Sequence, residues 1–211
     1  MKELIIVGAG GFGRELLQWV KDINKAQDKW LIKGFIDDNP QALDVLECDY
    51  SVIGSIEDWQ PGNDEVFACA IANPLIKEKV TGLLKSRGAI FEKIIHPTAL
   101  IGDHDSIGEG LVAYPHSCVT VNATVGDFVT LLSCSIIGHD AVVGDYTTIS
   151  SYSDITAGVN IGKRVFLGSH STIVPKRNIG DDAYIGAGSV VVTNVKENKK
   201  VMGNPAKKIE L

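Results

Sequence analysis

Every sixth residue from Ile95 to Val191 is aliphatic: Ile95, Ile101, Ile107, Ala113, Val119, Val125, Leu131, Ile137, Val143, Ile149, Ile155, Ile161, Leu167, Ile173, Ile179, Ile185 and Val191. An α-helix repeats at 3.6 residues and an isolated strand at 2, so neither generates a strict period of six. A coiled solenoid does. Gly follows the aliphatic residue in nine repeats, among them Gly102, Gly126, Gly138 and Gly168. Four places after it the side chain is mostly small or β-branched, as at Ala99, Ser117, Ser135, Thr147, Ser171 and Ser189. Pro97, Pro115 and Pro175 all stand two places after it, where a rigid turn without a ladder N–H is tolerated. Each hexad therefore predicts one short strand and a corner, with one large and one small residue pointing inward. Three hexads close a triangular coil, and the coils stack at about 4.8 Å. The run holds between five and six such coils.

The first ninety residues lack the hexad and read as a small α/β unit. Leu4 to Val7 is a buried-strand run, followed at once by Gly8-Ala9-Gly10-Gly11-Phe12-Gly13. A helical pattern runs through Glu15, Leu16, Leu17, Trp19 and Val20. Leu31 to Ile36 predicts a second strand ending at Asp37-Asp38, and Val66 to Ile71 a third. Ala72-Asn73-Pro74 then leads into a helix around Ile76 to Leu84. This is the β-α-β logic of a nucleotide fold. The expected division is an α/β, Rossmann-like domain over 1–92 and an all-β parallel β-helix with a short tail over 93–211. No flexible linker separates them, so the two parts are expected to pack together.

The chain has 211 residues and a formal net charge of −6, which argues against nucleic acid as the main partner. No apolar run approaches membrane-spanning length and no signal-like segment precedes the first strand, so neither a membrane nor export is expected. Cys48, Cys69, Cys118 and Cys134 form no C-x-x-C pair and read as reduced thiols of a cytoplasmic protein.

Two features carry chemistry. The Gly8–Gly13 turn lies between a strand and a helix, with Asp37 at the end of the next strand. Its backbone N–H groups and the helix N-terminus can hold phosphates. A sugar-nucleotide, a dinucleotide and a purely structural turn all remain open. His139 stands two after Ile137, at a corner, so its imidazole should project outward. An imidazole titrating near neutrality suits removal of a proton from an attacking amine or hydroxyl. Asp140 can orient it by accepting the Nδ1 proton; a solvated turn histidine is the plainer alternative. His96, His104, His116 and His170 are weaker candidates. No pair of histidines stands five apart, as the zinc hydratases built on such solenoids require, so no metal is expected.

Together, Gly8 to Gly13, Asp37-Asp38, Ala70 to Asn73, Ile95-His96-Pro97, Gly138-His139-Asp140 and Gly203 to Lys207 resemble the bacterial sugar O- and N-acyltransferases of the sialic acid O-acetyltransferase type. That group includes nucleotide-amino-sugar N-acetyltransferases of glycan assembly, built on a left-handed β-helix. The resemblance implies a homotrimer that uses acetyl-CoA, without a metal. The nucleotide-sugar would lie on the first domain and the thioester in grooves between β-helices. It implies His139 as base with Asp140 beside it, and Thr148, Ser169 and Ala187 along coenzyme A. Gly10, Gly11, Phe12, Asp37, Asp38 and Asn73 would touch the nucleotide-sugar. The sequence departs from the family at Phe12, where a histidine is frequent, and at Thr148, which replaces a second histidine near the acetyl carbonyl. Asp140 replaces a glutamate, and Ala72 a common glycine. The expected acceptor is a UDP- or dTDP-linked 4-amino sugar, N-acetylated. O-acetylation of a sialic acid or other sugar hydroxyl, a longer acyl chain from a carrier protein, and a non-catalytic binding module are the alternatives.

Overall fold

A computed structural model describes residues 1–45 and 47–210; Leu211, the last residue of the expected second domain, lies outside them. The first unit is a parallel sheet in the order β3-β2-β1-β4, formed by β1 (Lys2–Val7), β2 (Trp30–Ile36), β3 (Val52–Gly54) and β4 (Glu65–Cys69). Helices α1 (Gly11–Gln27) and α2 (Pro74–Ser86) follow β1 and β4. Strand β3 is short and half-buried, and it was absent from the sequence reading because three residues offer no usable alternation. Strand β4 stops at Cys69, before the predicted Ile71, as the chain turns toward Asn73 and Pro74 at the start of α2. The sheet gains a further bridge between Phe67 and Phe91, and the solenoid begins three residues later at Ile94.

From Ile94–Ile95 to Val190–Val191 the chain forms two-residue strands every six residues, stacked in parallel into three faces. The first face carries Ile94–Ile95, Val112–Ala113, Thr130–Leu131, Thr148–Ile149, Phe166–Leu167 and Tyr184–Ile185, then Lys200–Met202 and an antiparallel Lys207–Lys208. The second runs from Leu100–Ile101 through Ile136–Ile137 to Val190–Val191, and the third from Ser106–Ile107 through Val142–Val143 to Asn178–Ile179. The hexad aliphatics from Ala113 onward are buried along the axis. Ile95 and Ile107 are only partly buried, and Ile101 is exposed, because the first coil has no neighbour below it. Ser117, Ser135, Ser153, Ser171 and Ser189 form an inward ladder whose hydroxyls are satisfied internally, for example Ser135 Oγ donating to Leu132 O at 2.6 Å. Where glycine follows the aliphatic residue, the coils stack closely over it: a Cβ on Gly138 would lie 2.8 Å from the Thr156 carbonyl carbon.

The α/β unit rests on the first face. Phe91 meets Phe128 edge-on at 5.0 Å, and Phe128 stacks on Tyr146 at 5.5 Å. Tyr114 packs against Phe12 and Trp19, and its hydroxyl donates to Phe12 O. Buried apolar residues of both parts share two clusters, as the missing linker led one to expect.

Candidate active site

The glycine turn stands at the carboxyl edge of the parallel sheet, where the strand order reverses around β1. Ligands of open α/β sheets bind in that crevice. Gly8 has φ +99° and its N–H donates to Ile36 O. A Cβ on Gly13 would fall 2.0 Å from Gly8 O, so this glycine lets the helix approach the strand. Gly10 and Gly11 have no such internal reason: nothing lies within 4 Å of a Cβ on Gly10, and only the Arg14 guanidinium nears one on Gly11. Both are exposed, and Gly10 is the N-cap of α1, with no side-chain capping bond. Phe12 is half-buried against Tyr114, held by the β-helix rather than presented to the opening.

The acidic pair closes the same edge unequally. Asp37 accepts from Ala9 N at 2.7 Å and from Asn39 N at 2.8 Å, tying its carboxylate to the glycine turn. Asp38 Oδ1 accepts from Ile56 N and Glu57 N, so one of its oxygens is committed to anchoring a loop. Asn73 is the N-cap of α2, its Oδ1 accepting from Ile76 N at 3.1 Å. It also borders a cleft of about 310 Å³ between α2 and the first face. Leu75, Phe166 and Tyr184 give this cleft an apolar wall, the two rings stacked at 5.3 Å. Arg164 stands at its rim, held bidentately by Asp182 at 2.8 Å. The sequence reading missed this cleft, because no local pattern announces that outward hexad residues of separate coils will meet a helix.

His139 projects from the corner between the second and third faces, as expected. Its Nδ1 lies 2.7 Å from Asp140 Oδ2, with both side chains about 60% exposed. A carboxylate only accepts, so Nδ1 donates in this pair and Nε2 is the acceptor of the neutral ring. The corner is pinned by its neighbours in the stack: Asp140, at φ +59°, donates its N–H to Val121 O, and His139 O accepts from Gly158 N. Val121, Ile136 and Val142 are exposed apolar residues of the strands and corner around it. His104, His116 and His170 take the same left-handed corner position as Asp140, and His170 is stacked on Tyr152 at 4.9 Å. His96 pairs with Thr98, and its burial lowers its pKa.

Thr148 is enclosed between the two parts of the chain. Its side chain is fully buried, its hydroxyl donating to Ala72 O at 2.8 Å and accepting from Lys77 Nζ at 2.9 Å. The cause is α2, which covers this stretch of the first face. Ser169 and Ala187 occupy successive coils at the corner between the first and second faces, Ser169 half-buried and Ala187 exposed. One chain therefore brings the candidates into three separate groups. The crevice lies over the first face, and His139 stands at the opposite corner of the triangle.

Residues 3–84 match the family described as PglD N-terminal domain. Over 131 residues the chain is 30% identical to GDP-perosamine N-acetyltransferase of Escherichia coli O157:H7, a match spanning 58% of this chain and 56% of that relative. The acetyltransferase domain of PglB from Neisseria gonorrhoeae, solved with acetyl coenzyme A, superposes with TM-score 0.89 over 99% of both chains at 24% identity. PerB of Caulobacter crescentus, solved with CoA and GDP-perosamine, superposes with TM-score 0.89 over 100% of this chain and 98% of its own at 22% identity. Among the described residues no helix is long and apolar enough to cross a membrane. Residues 3–84 thus match the PglD N-terminal domain family, the chain spans about half the length of the curated N-acetyltransferase it resembles, and as a whole it shares the fold of the PglB and PerB structures, an N-terminal α/β unit followed by a parallel β-solenoid.

Proposed function

We propose that this protein transfers the acetyl group of acetyl-CoA to the amine of a nucleotide-linked amino sugar, a 4-amino sugar being favoured. The observation that carries this reading is the His139–Asp140 pair, with a free Nε2 on an exposed corner. The neutral amine adds to the thioester carbonyl, and its nitrogen, cationic in the adduct, must give up one proton for the neutral amide to form. Nε2 takes it, while Asp140 holds the ring and stabilises the imidazolium that forms. Acetyl-CoA supplies the activated acyl group, and the thiolate leaves as the tetrahedral adduct collapses.

Residues 1–92 hold the nucleotide and 93–211 carry the transfer. Gly10 and Gly11 present backbone N–H groups to the diphosphate at the α1 N-terminus. Asp37 offers acceptors to ribose or base; Asp38, through its second oxygen, and Asn73, through its amide, border the same edge. Coenzyme A runs past Ser169 and Ala187. His139 lies opposite the crevice of its own chain, so a second copy must supply the base. A homotrimer meets that need, and the bare apolar residues around His139 are the surface through which it forms.

Calorimetry with UDP, dTDP, GDP and NAD, on the wild type and Asp37→Ala, tests the acceptor. UDP or dTDP is expected to bind and to weaken in the variant, and GDP is the arm that the GDP-perosamine relatives add. Binding of NAD with no response to any of the three nucleoside diphosphates overturns the reading. Turnover of acetyl-CoA with the matching amino-sugar nucleotide then tests the transfer.

A further inference from the structure

The acetyltransferase reading leaves Lys77 unused, although it is the largest cationic side chain fully buried in the protein, 1% exposed. It points inward from α2 onto the first face. Its Nζ donates to Phe128 O at 3.0 Å, Thr130 Oγ1 at 2.9 Å and Thr148 Oγ1 at 2.9 Å, with Thr147 O at 3.4 Å. Every one of these acceptors belongs to the β-helix, and none is a carboxylate. An ammonium desolvated without a counter-ion is costly. Packing alone would be served by an aliphatic side chain, so the directional bonds are what the amine adds.

One of those bonds continues. Thr148 Oγ1 accepts from Lys77 and donates to Ala72 O, so both roles of the hydroxyl are fixed. Ala72 lies in the turn from β4 to α2 that walls the crevice. Ala70 O of the same turn sits beside Gly8, 3.1 Å from where a Cβ would stand, and Asn73 caps α2. The chain of contacts runs from the helix, through the solenoid, and back to the crevice wall.

We propose that Lys77 is a positioning residue: through the Thr148 hydroxyl it fixes the Ala72–Asn73 wall of the nucleotide crevice at one height on the β-helix. The proposal rests on the acetyltransferase reading where it concerns turnover. Height matters because the acceptor amine must meet a His139 on another prism. A misplacement of about 1 Å can cost on the order of 10²-fold in rate.

Two isosteric variants separate positioning from simple packing. Thr148→Val and Thr130→Val each remove one acceptor from Lys77, but only Thr148 hands the bond on to Ala72. Amide hydrogen exchange of residues 70–73 is expected to quicken about tenfold or more in Thr148→Val and to stay unchanged in Thr130→Val. The KM for the nucleotide-sugar should rise about tenfold in Thr148→Val alone, with the KM for acetyl-CoA unmoved. Lys77→Met should follow Thr148→Val; if it fails to fold, the threonine pair suffices. Equal exchange and kinetics in the two threonine variants overturn the proposal. So does a rise confined to the KM for acetyl-CoA, which would put Thr148 at the thioester. Wild-type turnover is measured first. Its absence counts against the acetyltransferase reading, and the exchange comparison then decides the clasp by itself.

Discussion

The first face of the prism and the corner that carries His139 are built from the same hexad, yet they end in opposite states. The first face is covered: Val112, Tyr114, Thr130 and Thr148 are buried beneath the α/β unit. At the far corner Val121, Ile136 and Val142 remain 40–43% exposed beside His139, away from the face that the α/β unit covers. The inward residues are alike in both places. What differs is the outward set: on one side it is answered by α1, α2 and Phe91, on the other by nothing among the described residues. A solenoid fixes its own interior through repetition and leaves its exterior to be completed by whatever docks there.

The most severe break of this comparison is Ile136→Arg. If the bare corner is a subunit contact, a buried arginine there should reduce the assembly to the 22.6 kDa monomer by light scattering and abolish turnover. A variant that keeps the wild-type mass and activity would show the corner to be free surface. His139→Asn is next in size. It should leave mass and fold unchanged and lower kcat by about 10²-fold or more. Asp140→Asn should lose less, because the imidazole keeps its free Nε2 even when it is poorly oriented. Near-wild-type kcat in folded His139→Asn would place the base elsewhere.

The covered side answers to stability instead. Phe91→Ala removes a buried ring packed on Phe67 and Phe128 and should cost about 3–5 kcal/mol in chemical denaturation. Val121→Ser at the bare corner should change the fold by less than about 0.5 kcal/mol in the monomer. Similar losses at both sites would erase the distinction. The covered side also carries a pH slope. Burial draws the Lys77 amine from 10.5 down to about 7, with the nearby Cys69 thiol opposing the shift. The unfolded chain then binds the proton that the folded chain has released. Stability rises with pH between about 7 and 10.5 and is lost as pH falls back toward 7. Relative to Lys77→Met, the wild type should gain stability from pH 7 to pH 9; a flat difference would mean that Lys77 stays charged in the fold.

The solenoid was legible because its period is local and repeated: a coil neighbour is always eighteen residues away, so each hexad restates the same instruction. The corner position of His139 followed from that register, and the Asp140 contact from adjacency. The glycine turn was legible as a motif, but its division of labour was not. Gly13 is required by the Gly8 carbonyl against it, whereas Gly10 and Gly11 meet open space. No spacing rule separates these two kinds of glycine. Thr148 shows what position alone does not reveal: the docking of α2 brings its hydroxyl to Lys77 and Ala72.

By itself, then, the sequence determined the two architectures, the order in which they follow, and the outward aim of the histidine. These depend on periodicity and chain neighbours, which a one-dimensional pattern records. Only the tertiary structure decided which face the α/β unit covers, and so buried Lys77, committed Thr148 and opened a cleft at Phe166 and Tyr184. The physical reason is that outward hexad residues are set by no local rule. Their environment depends on contacts between segments 50 to 100 residues apart, such as Lys77 with Phe128 and Phe12 with Tyr114, and such contacts exist only once both parts have folded and met.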